Sequence, residues 1–383
     1  MIAYQTIVLS GGGAKGPYGL GVLLALEKFH YARGKKITKI YCGTSVGALN
    51  ATLAAQGDLK QLTTLYAKLQ TRDILGTKKS QVTKWGILKA IGRRPFHYFH
   101  NKALKSTIER YVKFSSLRNA HLLICATNYS TGELETFYIS KLIDEMVDHD
   151  KFQLPENQRM ANYHRIDSQE FLVQALLAST SIPFYLPPVK INKHLYVDGG
   201  VGNNTPLRQA AYICRFLSCK EDVHLEPTFC VINDPNRFTL DHAESSDMFG
   251  VIRRTLDIFH NELVGDSHLS WERINLEVKH AQERENLLNS YIDGFEDLSL
   301  ERRVVVREHV GDALRATSTS TPRRHLPLMI VQPNSQLVEN ILEFNPEASK
   351  ELKEHGVEAC LTLLMHKDFI SHNDLRRWSN EIE

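Results

Sequence analysis

The residues best suited to catalysis in this 383-residue sequence surround Ser45. Ser45 lies between Gly43 and Gly47 in a segment that fits the pattern G-x-S-x-G, where small neighbours permit a strained turn that exposes the serine hydroxyl above a sheet. An apolar strand over 37–42 is predicted before this segment, and an Ala/Leu-rich helix over 48–55 is predicted after it. Because the motif requires this strand–turn–helix context, Ser45 is a candidate nucleophile. A turn without chemistry is the other interpretation.

Asp198 is the candidate base for such a serine. It follows a second predicted strand and is itself followed by Gly199 and Gly200, which would let its carboxylate approach another loop closely. None of the 17 histidines lies in a comparable motif. An aspartate near its reference pKa of about 3.9 is a weak base, so a dyad with Ser45 requires a closed apolar pocket and a short hydrogen bond. Taken alone, the segment also fits a plain Asp-Gly hairpin turn.

A glycine-rich loop follows the first predicted strand, and its key residues are Gly11, Gly12, Gly13, Lys15 and Gly16. The loop matches G-x-G-x-x-G, but the next strand lacks the terminal acidic residue with which a dinucleotide-binding turn holds a ribose. A phosphate-binding loop would need Gly-Lys-Ser/Thr, whereas here Lys15 precedes Gly16. The favoured interpretation is an oxyanion site, in which successive backbone N–H groups and a helix N-terminus stabilise negative charge and Lys15 strengthens their field.

Between Asp73 and Glu109 the sequence has no acidic residue, and lysines and arginines alternate there with apolar and aromatic side chains. This segment predicts a surface for anionic lipid headgroups or a phosphate ligand. The residues predicted to make those contacts are Lys78, Lys79, Lys84, Arg93 and Arg94. A solvated helical face over the core is the equally supported alternative.

The elements that must position these residues alternate strand, loop and helix twice within the first 57 residues. This alternation predicts an α/β fold with a mostly parallel sheet, helices on both faces and ligands at the carboxyl ends of the strands. Further strands are predicted over 122–127, 196–197, 229–232 and 328–331, and a final helix over 350–367. Polar stretches over 144–169 and 233–247 predict loops or insertions.

The composition is that of an ordinary globular protein, with 42% hydrophobic and 23% charged residues. It excludes a disordered, collagen-like or disulfide-scaffold protein. The net charge of +2 argues neither for nor against a polyanionic partner. Six scattered cysteines without a C-x-x-C pair predict free thiols in a reducing compartment. No stretch reaches the ~18 apolar residues of a spanning helix, so a soluble, cytoplasmic protein is expected.

The order glycine-rich loop, G-x-S-x-G and Asp-Gly-Gly makes this sequence resemble the bacterial patatin-like phospholipases. Residues 178–183 and 187–189 resemble the segment that the family carries ahead of its Asp-Gly-Gly, and residues 204–206 resemble its sequel. The resemblance covers residues 1 to about 235 well and the remainder loosely. Ser10 departs mildly from the family, since many members have an acidic residue or Asn there.

The resemblance implies a three-layer α/β/α sandwich, acyl-ester hydrolysis through a serine acyl-enzyme, and no metal or other cofactor. It makes Ser45 the nucleophile and Asp198 the base of a Ser-Asp dyad, with the oxyanion held by N–H groups of Gly11 to Gly13. It also implies a catalytic core over 1–235, with the basic segment near 74–108 as a lid over an acyl pocket. Residues 236–383 are expected to form a helical extension that closes with a strand and helix packed on that core.

The expected function is that of a phospholipase of the A type, which cleaves ester-linked fatty acids from membrane phospholipids during peripheral contact with the bilayer. One alternative is a phospholipase effector that is silent until a cyclic nucleotide or protein factor activates it. Others are an esterase or thioesterase for soluble acyl substrates and a catalytically inactive interaction module. No nucleic-acid partner is expected.

Overall fold

The computed structural model describes residues 2–77, 97–153, 162–235 without 219 and 221, parts of the stretch 271–309, and 325–382 without 339. The described strands are β1 (Ile2–Leu9), β2 (Ile37–Thr44), β3 (His121–Asn128), β4 (Leu134–Ile139), β5 (Tyr163–Arg165), β6 (Val189–Ile191), β7 (His194–Asp198), β8 (Val223–Leu225), β9 (Thr228–Val231) and β10 (Leu328–Val331). The described helices include α1 (Gly16–Arg33), α2 (Val46–Ala55), α3 (Leu59–Tyr66), α4 (Thr71–Leu75), α5 (Lys102–Tyr111), α6 (Lys141–Gln153), α7 (Gln169–Ser179), α8 (Gly200–Asn203), α9 (Leu207–Ser218), α10 (Pro346–His366) and α11 (His372–Glu381). Among these residues, no helix has both the length and the apolar composition needed to cross a bilayer.

The strands join in one sheet with the order β10-β9-β1-β2-β3-β4-β5. Strand β8 also pairs with β1, and the β6–β7 hairpin joins the sheet through β3. The pairs around β1 and β2 are parallel, whereas β3 is antiparallel to both β4 and β7. The predicted α/β class with a mostly parallel central sheet is confirmed.

Alternating side chains on the central strands supply a hydrophobic core on each face of the sheet. In β1, Ile7 and Leu9 belong to the core that α1 and α2 cover, whereas Val8 belongs to the core on the other face. Residues of α6 and α9 cover that second core, including Ile143 and Leu217. Helices on both faces of one sheet give the expected three layers.

Helix α1 crosses the C-terminal helix α10 where glycines replace larger side chains. A Cβ atom on Gly21 would lie 2.0 Å from the carbonyl oxygen of Lys353, and one on Gly356 would lie 2.0 Å from that of Tyr18. The two backbones therefore approach more closely than any other residue type would allow. Because β10 pairs in parallel with β9, the last strand and this last long helix pack on the same sheet as the N-terminal residues.

The prediction of loops over 144–169 is wrong for the start of that stretch, which lies in α6. The helix buries four apolar side chains against the second core, Leu142, Ile143, Met146 and Val147. These residues recur one and four positions apart and so form one helical face, although polar residues surround them in the sequence. The short strand β5 takes up a further part of the same stretch.

The pairing of β3 brings the ends of β2 and β7 together. Strand β2 runs parallel to β3, and its last residue, Thr44, pairs with Cys125. Strand β7 runs antiparallel to β3, and its last residue, Asp198, pairs with Ala126. Since β4 occupies the other edge of β3, the strands β2 and β7 meet end to end along one edge. Ser45, which follows Thr44, is therefore set beside Asp198.

Candidate active site

Ser45 forms the sharp turn between β2 and α2. Its backbone has φ 54° and ψ −128°, a conformation in the left-handed φ region that a residue with a side chain seldom adopts. The predicted roles of the flanking glycines have a steric basis. A Cβ atom on Gly43 would lie 2.4 Å from the carbonyl oxygen of Gly47, and one on Gly47 would lie 2.2 Å from that of Leu9. The turn therefore requires glycine on both sides of the serine.

The backbone of this turn is fastened to helix α7. The N–H of Ser45 donates a hydrogen bond of 2.9 Å to Ser179 Oγ, and that hydroxyl donates to the carbonyl oxygen of Cys125 at 2.7 Å. Ser179 is completely buried at the end of α7. Both bonds are made in a site without solvent, where losing a partner is costly.

The hydroxyl of Ser45 donates a hydrogen bond of 2.7 Å to Asp198 Oδ2. The other carboxylate oxygen of Asp198 accepts the N–H of Gly200 at 2.8 Å, and the Asp198 N–H donates to the carbonyl oxygen of Ser181 at 2.9 Å. Thr127 Oγ1 donates to the carbonyl oxygen of Asp198 at 3.0 Å. The carboxylate is therefore held at a fixed position against the serine hydroxyl.

Burial raises the pKa of Asp198 to about 7, although the hydrogen bonds from Ser45 and Gly200 act in the opposite direction. The cause is desolvation, because a charged carboxylate loses its water shell in the closed site. A carboxylate with a pKa near neutrality is a much stronger base than an exposed aspartate and is still ionised in a large fraction of molecules at pH 7. A dyad of serine and aspartate requires this property of Asp198.

The glycine-rich loop lies directly beside Ser45. The Gly11 N–H donates to the carbonyl oxygen of Asn204 at 3.1 Å, so this group is already used within the protein. Among the described residues, no acceptor is hydrogen-bonded to the N–H groups of Gly12 and Gly13, and Gly13 lines the same cavity as Ser45. Of the three N–H groups predicted to bind an oxyanion, those of Gly12 and Gly13 therefore remain candidates.

Asn233 and Asp234 fix the loop from the end of β9. The Asn233 side chain donates to the carbonyl oxygens of Ser10 and Gly11 at 2.9 and 3.0 Å. Its backbone N–H donates to Ser10 Oγ at 3.0 Å. Asp234 forms an ion pair with Lys15, which is almost completely buried. The positive charge of Lys15 is thus largely offset by Asp234, and the expectation that it adds to an oxyanion field is weakened.

Gly16 serves helix packing at the start of α1, and its N–H already donates to the carbonyl oxygen of Gly13. A Cβ atom on it would lie 2.2 Å from Tyr66 Oη and 2.4 Å from Val46 Cγ2. Its carbonyl oxygen accepts a hydrogen bond of 2.8 Å from Asn50 Nδ2, while Tyr66 donates to Asn50 Oδ1 at 2.7 Å. This contact joins the N-terminus of α1 to the middle of α2, the helix that begins directly after Ser45.

An apolar cavity that is partly open to solvent is lined by Ser45. Ser45 and Gly13 line it together with apolar and aromatic side chains of α2, α3, α4 and α5. The apolar character of this lining suits a flexible hydrocarbon group of a ligand. Ser45, the candidate nucleophile, and Gly13 of the glycine-rich loop therefore border the same apolar cavity.

Several members of the site had no role assigned from the sequence, above all Ser179, Asn204 and Asn233. For Asn233 a signal exists, because a polar residue directly after a parallel strand lies at the edge where α/β sheets bind ligands. The glycines of the predicted Asp-Gly-Gly turn, Gly199 and Gly200, lie where expected after Asp198. The basic residues of the predicted lid, Lys78, Lys79, Lys84, Arg93 and Arg94, lie outside the described residues.

Two known proteins resemble this chain. A cGAMP-activated phospholipase from Pseudomonas aeruginosa is 26% identical over 231 residues, which cover 57% of this chain and 59% of that relative. This chain thus spans less than two thirds of the relative's length. The crystal structure of VipD from Legionella pneumophila aligns with 95% of this chain and 67% of its own, at 14% identity and a TM-score of 0.38.

The family model for patatin-like phospholipases matches residues 7–211. The match covers more than half of the chain and includes the glycine-rich loop, Ser45 and Asp198. It also includes α7, whose last residue holds the Ser45 backbone. The chain belongs to the patatin-like phospholipase family.

Proposed function

We propose that this protein hydrolyses acyl ester bonds of membrane phospholipids, with Ser45 as nucleophile and Asp198 as base. One observation carries the proposal. The Ser45 hydroxyl donates a 2.7 Å hydrogen bond to a buried carboxylate, and Ser45 also lines an apolar cavity. The nucleophilic oxygen, Ser45 Oγ, is thus hydrogen-bonded to a base and lies beside a binding site for hydrocarbon.

In the first half of the reaction, Asp198 takes the Ser45 proton as Oγ attacks the ester carbonyl. The N–H groups of Gly12 and Gly13 donate to the oxyanion that forms. When the tetrahedral intermediate collapses, the ester C–O bond breaks and the proton on Asp198 passes to the leaving lysophospholipid oxygen. The fatty acyl group remains on Ser45 as an ester.

In the second half, water attacks the acyl-enzyme and gives its proton to Asp198. The same two N–H groups stabilise the second oxyanion. Collapse of this intermediate breaks the bond between Ser45 Oγ and the acyl carbon, and the proton on Asp198 returns to Oγ. Fatty acid leaves, and the dyad regains its starting protonation state.

The membrane is the proposed source of the substrate. An apolar cavity next to the nucleophile favours an ester that carries a hydrocarbon group. The basic segment provides the complementary feature, since we propose that Lys78, Lys79, Lys84, Arg93 and Arg94 contact anionic headgroups. Raising the salt concentration should then weaken binding to anionic vesicles more than binding to neutral ones.

Fatty acid release from phosphatidylglycerol vesicles tests the proposal. Wild type should release fatty acid, and Ser45→Ala or Asp198→Asn should each lower the rate by at least about 10³-fold. Because the two residues act as a unit, the double variant should be little worse than either single one. Ser379→Ala, a change on the C-terminal helix α11, serves as the matched control. Undiminished release by folded Ser45→Ala would refute the serine mechanism.

A second candidate is a phospholipase that needs a nucleotide activator. The observation in its favour is the relative from Pseudomonas aeruginosa, which is named for its activation by cGAMP. The vesicle assay distinguishes the two candidates when it is repeated with cGAMP and other cyclic dinucleotides. Ser45-dependent release without additives identifies a constitutive enzyme, and release that appears only with one nucleotide identifies an activated one.

A further inference from the structure

The cavity beside Ser45 runs along helix α2. Val46, Leu49 and Leu53 line it, and their spacing of three and four residues places them on one face of the helix. Because an α-helix rises 1.5 Å per residue, Leu53 lies roughly 12 Å beyond Ser45 along the helix axis. The cavity therefore has a near end at the Ser45 hydroxyl and a far end at Leu53.

Helix α5 forms another wall and reaches the same far end. Its lining side chains include Ile108 and Tyr111, and Val112, the residue directly after the helix, also lines the cavity. Gln56, the residue after α2, donates from Nε2 to the carbonyl oxygen of Tyr111 at 3.3 Å. Its Oε1 accepts the N–H of Lys113 at 2.6 Å. The C-terminal ends of α2 and α5 are thus joined at the end of the cavity that is remote from Ser45.

A second glutamine fixes the same turn from the opposite side. Gln169, at the start of α7, donates from Nε2 to the carbonyl oxygen of Val112 at 2.9 Å. Its Oε1 accepts the N–H of Phe114 at 2.7 Å. The backbone after α5 is therefore held by two side-chain amides, each of which uses both its donor and its acceptor. Such a turn is expected to move little when a ligand enters the cavity.

Leu53 and Val112 close the far end. Both side chains line the cavity, yet each is only 1% exposed to solvent. The cavity therefore does not open to solvent at these two residues, which are the lining residues farthest from Ser45 along α2 and after α5. We call this pair the cavity floor.

We infer that the cavity floor limits the length of the acyl chain that this enzyme accepts, an inference that rests on the proposed function. A fully extended polypeptide advances up to ~3.6 Å over three backbone bonds, so an extended chain of single bonds advances about 1.2 Å per bond. The distance of roughly 12 Å from Ser45 to the floor then sets an upper limit of about ten carbons on an enclosed acyl chain. Acyl chains of about ten carbons or fewer are the preferred substrates, and a chain of sixteen reaches the floor before its end is enclosed.

Competition within one vesicle tests this inference. Vesicles that contain equal amounts of phosphatidylglycerol with ten-, fourteen- and sixteen-carbon chains are treated with enzyme, and mass spectrometry counts each fatty acid released. Wild type should release the ten-carbon acid fastest. Leu53→Ala should raise the ratio of fourteen- to ten-carbon acid by about tenfold, the lower end of what one or two methylenes contribute in an apolar pocket. Leu53→Phe should lower that ratio.

Two further variants separate chain-length selection from instability. Val112→Ala should shift the ratio in the same direction as Leu53→Ala, because it enlarges the floor from the other wall. Leu217→Ala removes the same atoms from a completely buried leucine in the core on the opposite face of the sheet, and it should leave the ratio unchanged. Opposite shifts for the alanine and phenylalanine variants at Leu53 cannot arise from lost stability alone, which lowers all rates together.

The outcomes also separate this inference from the proposed function. Release that depends on Ser45, with a ratio that none of the three floor variants moves, overturns the role of the floor and leaves the hydrolase standing. A wild-type optimum at sixteen carbons would overturn the inference as well. If wild type releases no fatty acid with or without cyclic dinucleotides, the proposed function itself fails.

Discussion

The backbone N–H of Ser45 donates to Ser179 Oγ at 2.9 Å, although 134 residues separate the two serines. The bond holds the nucleophile candidate in a left-handed φ that costs on the order of 1–3 kcal/mol in a residue with a side chain. It also connects the turn after β2 to the end of α7. Two residues beyond that end, the carbonyl oxygen of Ser181 accepts the N–H of Asp198. One hydroxyl therefore couples the position of the nucleophile to the position of its base.

Ser179→Ala should lower kcat by about tenfold or more while the protein stays folded. The change leaves the Ser45 N–H buried without an acceptor, which costs about 1–3 kcal/mol, and relaxation of the turn moves Oγ away from Asp198. Fatty acid release at saturating vesicle concentration measures the effect.

Ser218→Ala is the matched control for Ser179→Ala. Ser218 is also a buried serine at the end of a helix, and its hydroxyl donates to the carbonyl oxygen of Arg215 at 2.7 Å on the other face of the sheet. It should reduce stability by a similar amount without changing kcat. Equal kcat losses in both variants would argue that Ser179 has only a structural role.

The pH dependence of the rate should follow the ionisation of Asp198. Burial raises its pKa to about 7, and only the ionised carboxylate can take the serine proton. For the free enzyme, kcat/KM should therefore be low at pH 5, half-maximal near pH 7 and level above pH 8. Measuring it on vesicles with pH-independent headgroup charge isolates this group. A rate that is already level at pH 5 would mean that Asp198 is ionised throughout and lacks the raised pKa.

Asp198→Asn should abolish hydrolysis and stabilise the fold at neutral pH. The amide can accept the Gly200 N–H and donate to Ser45 Oγ, so both hydrogen bonds are kept while a buried charge is removed. The melting temperature should rise by roughly 2 °C or more at pH 8. The pKa of Asp198 is about 7 in the folded protein and 3.8 in the unfolded chain, so wild-type stability falls as the pH rises from 3.8 to about 7. The difference in melting temperature between wild type and Asp198→Asn should therefore vanish below pH 4. A difference that stays constant with pH would show that the buried charge of Asp198 is not its cause.

The sequence was sufficient to predict the turn at Ser45 and the strand end at Asp198, because each is specified by neighbours within a few positions. Glycine on both sides of Ser45 is a local requirement, and its steric reason is visible in the contacts of Gly43 and Gly47. The strand–loop–helix alternation can be predicted for the same reason, because the spacing of apolar residues indicates which side chains are buried. The family resemblance then supplied the pairing between these two distant segments.

The supporting contacts could not be predicted, because their partners lie far apart in the sequence and none has a distinctive pattern of neighbours. The sequence predicts Gly11 as an oxyanion donor, but in the structure its N–H donates to the carbonyl oxygen of Asn204. The sequence predicts Lys15 as a positive charge that acts on the oxyanion, but in the structure it forms an ion pair with Asp234. Only the pairing of β9 with β1 brings Asn233 to this loop, and strand pairing is not encoded in any short segment.

Asn233→Asp should lower kcat about 10²-fold with little change in KM, because it disturbs the loop that stabilises the oxyanion and not the cavity that binds the acyl chain. The new carboxylate cannot donate to the carbonyl oxygens of Ser10 and Gly11, and it repels them, so the N–H groups of Gly12 and Gly13 lose their alignment. Affinity for a trifluoromethyl ketone, which forms an oxyanion on Ser45, should fall in parallel with kcat. Asn275→Asp is the control, since that amide bonds the backbone of Leu326 away from the site. An unchanged inhibitor affinity in Asn233→Asp would contradict this role.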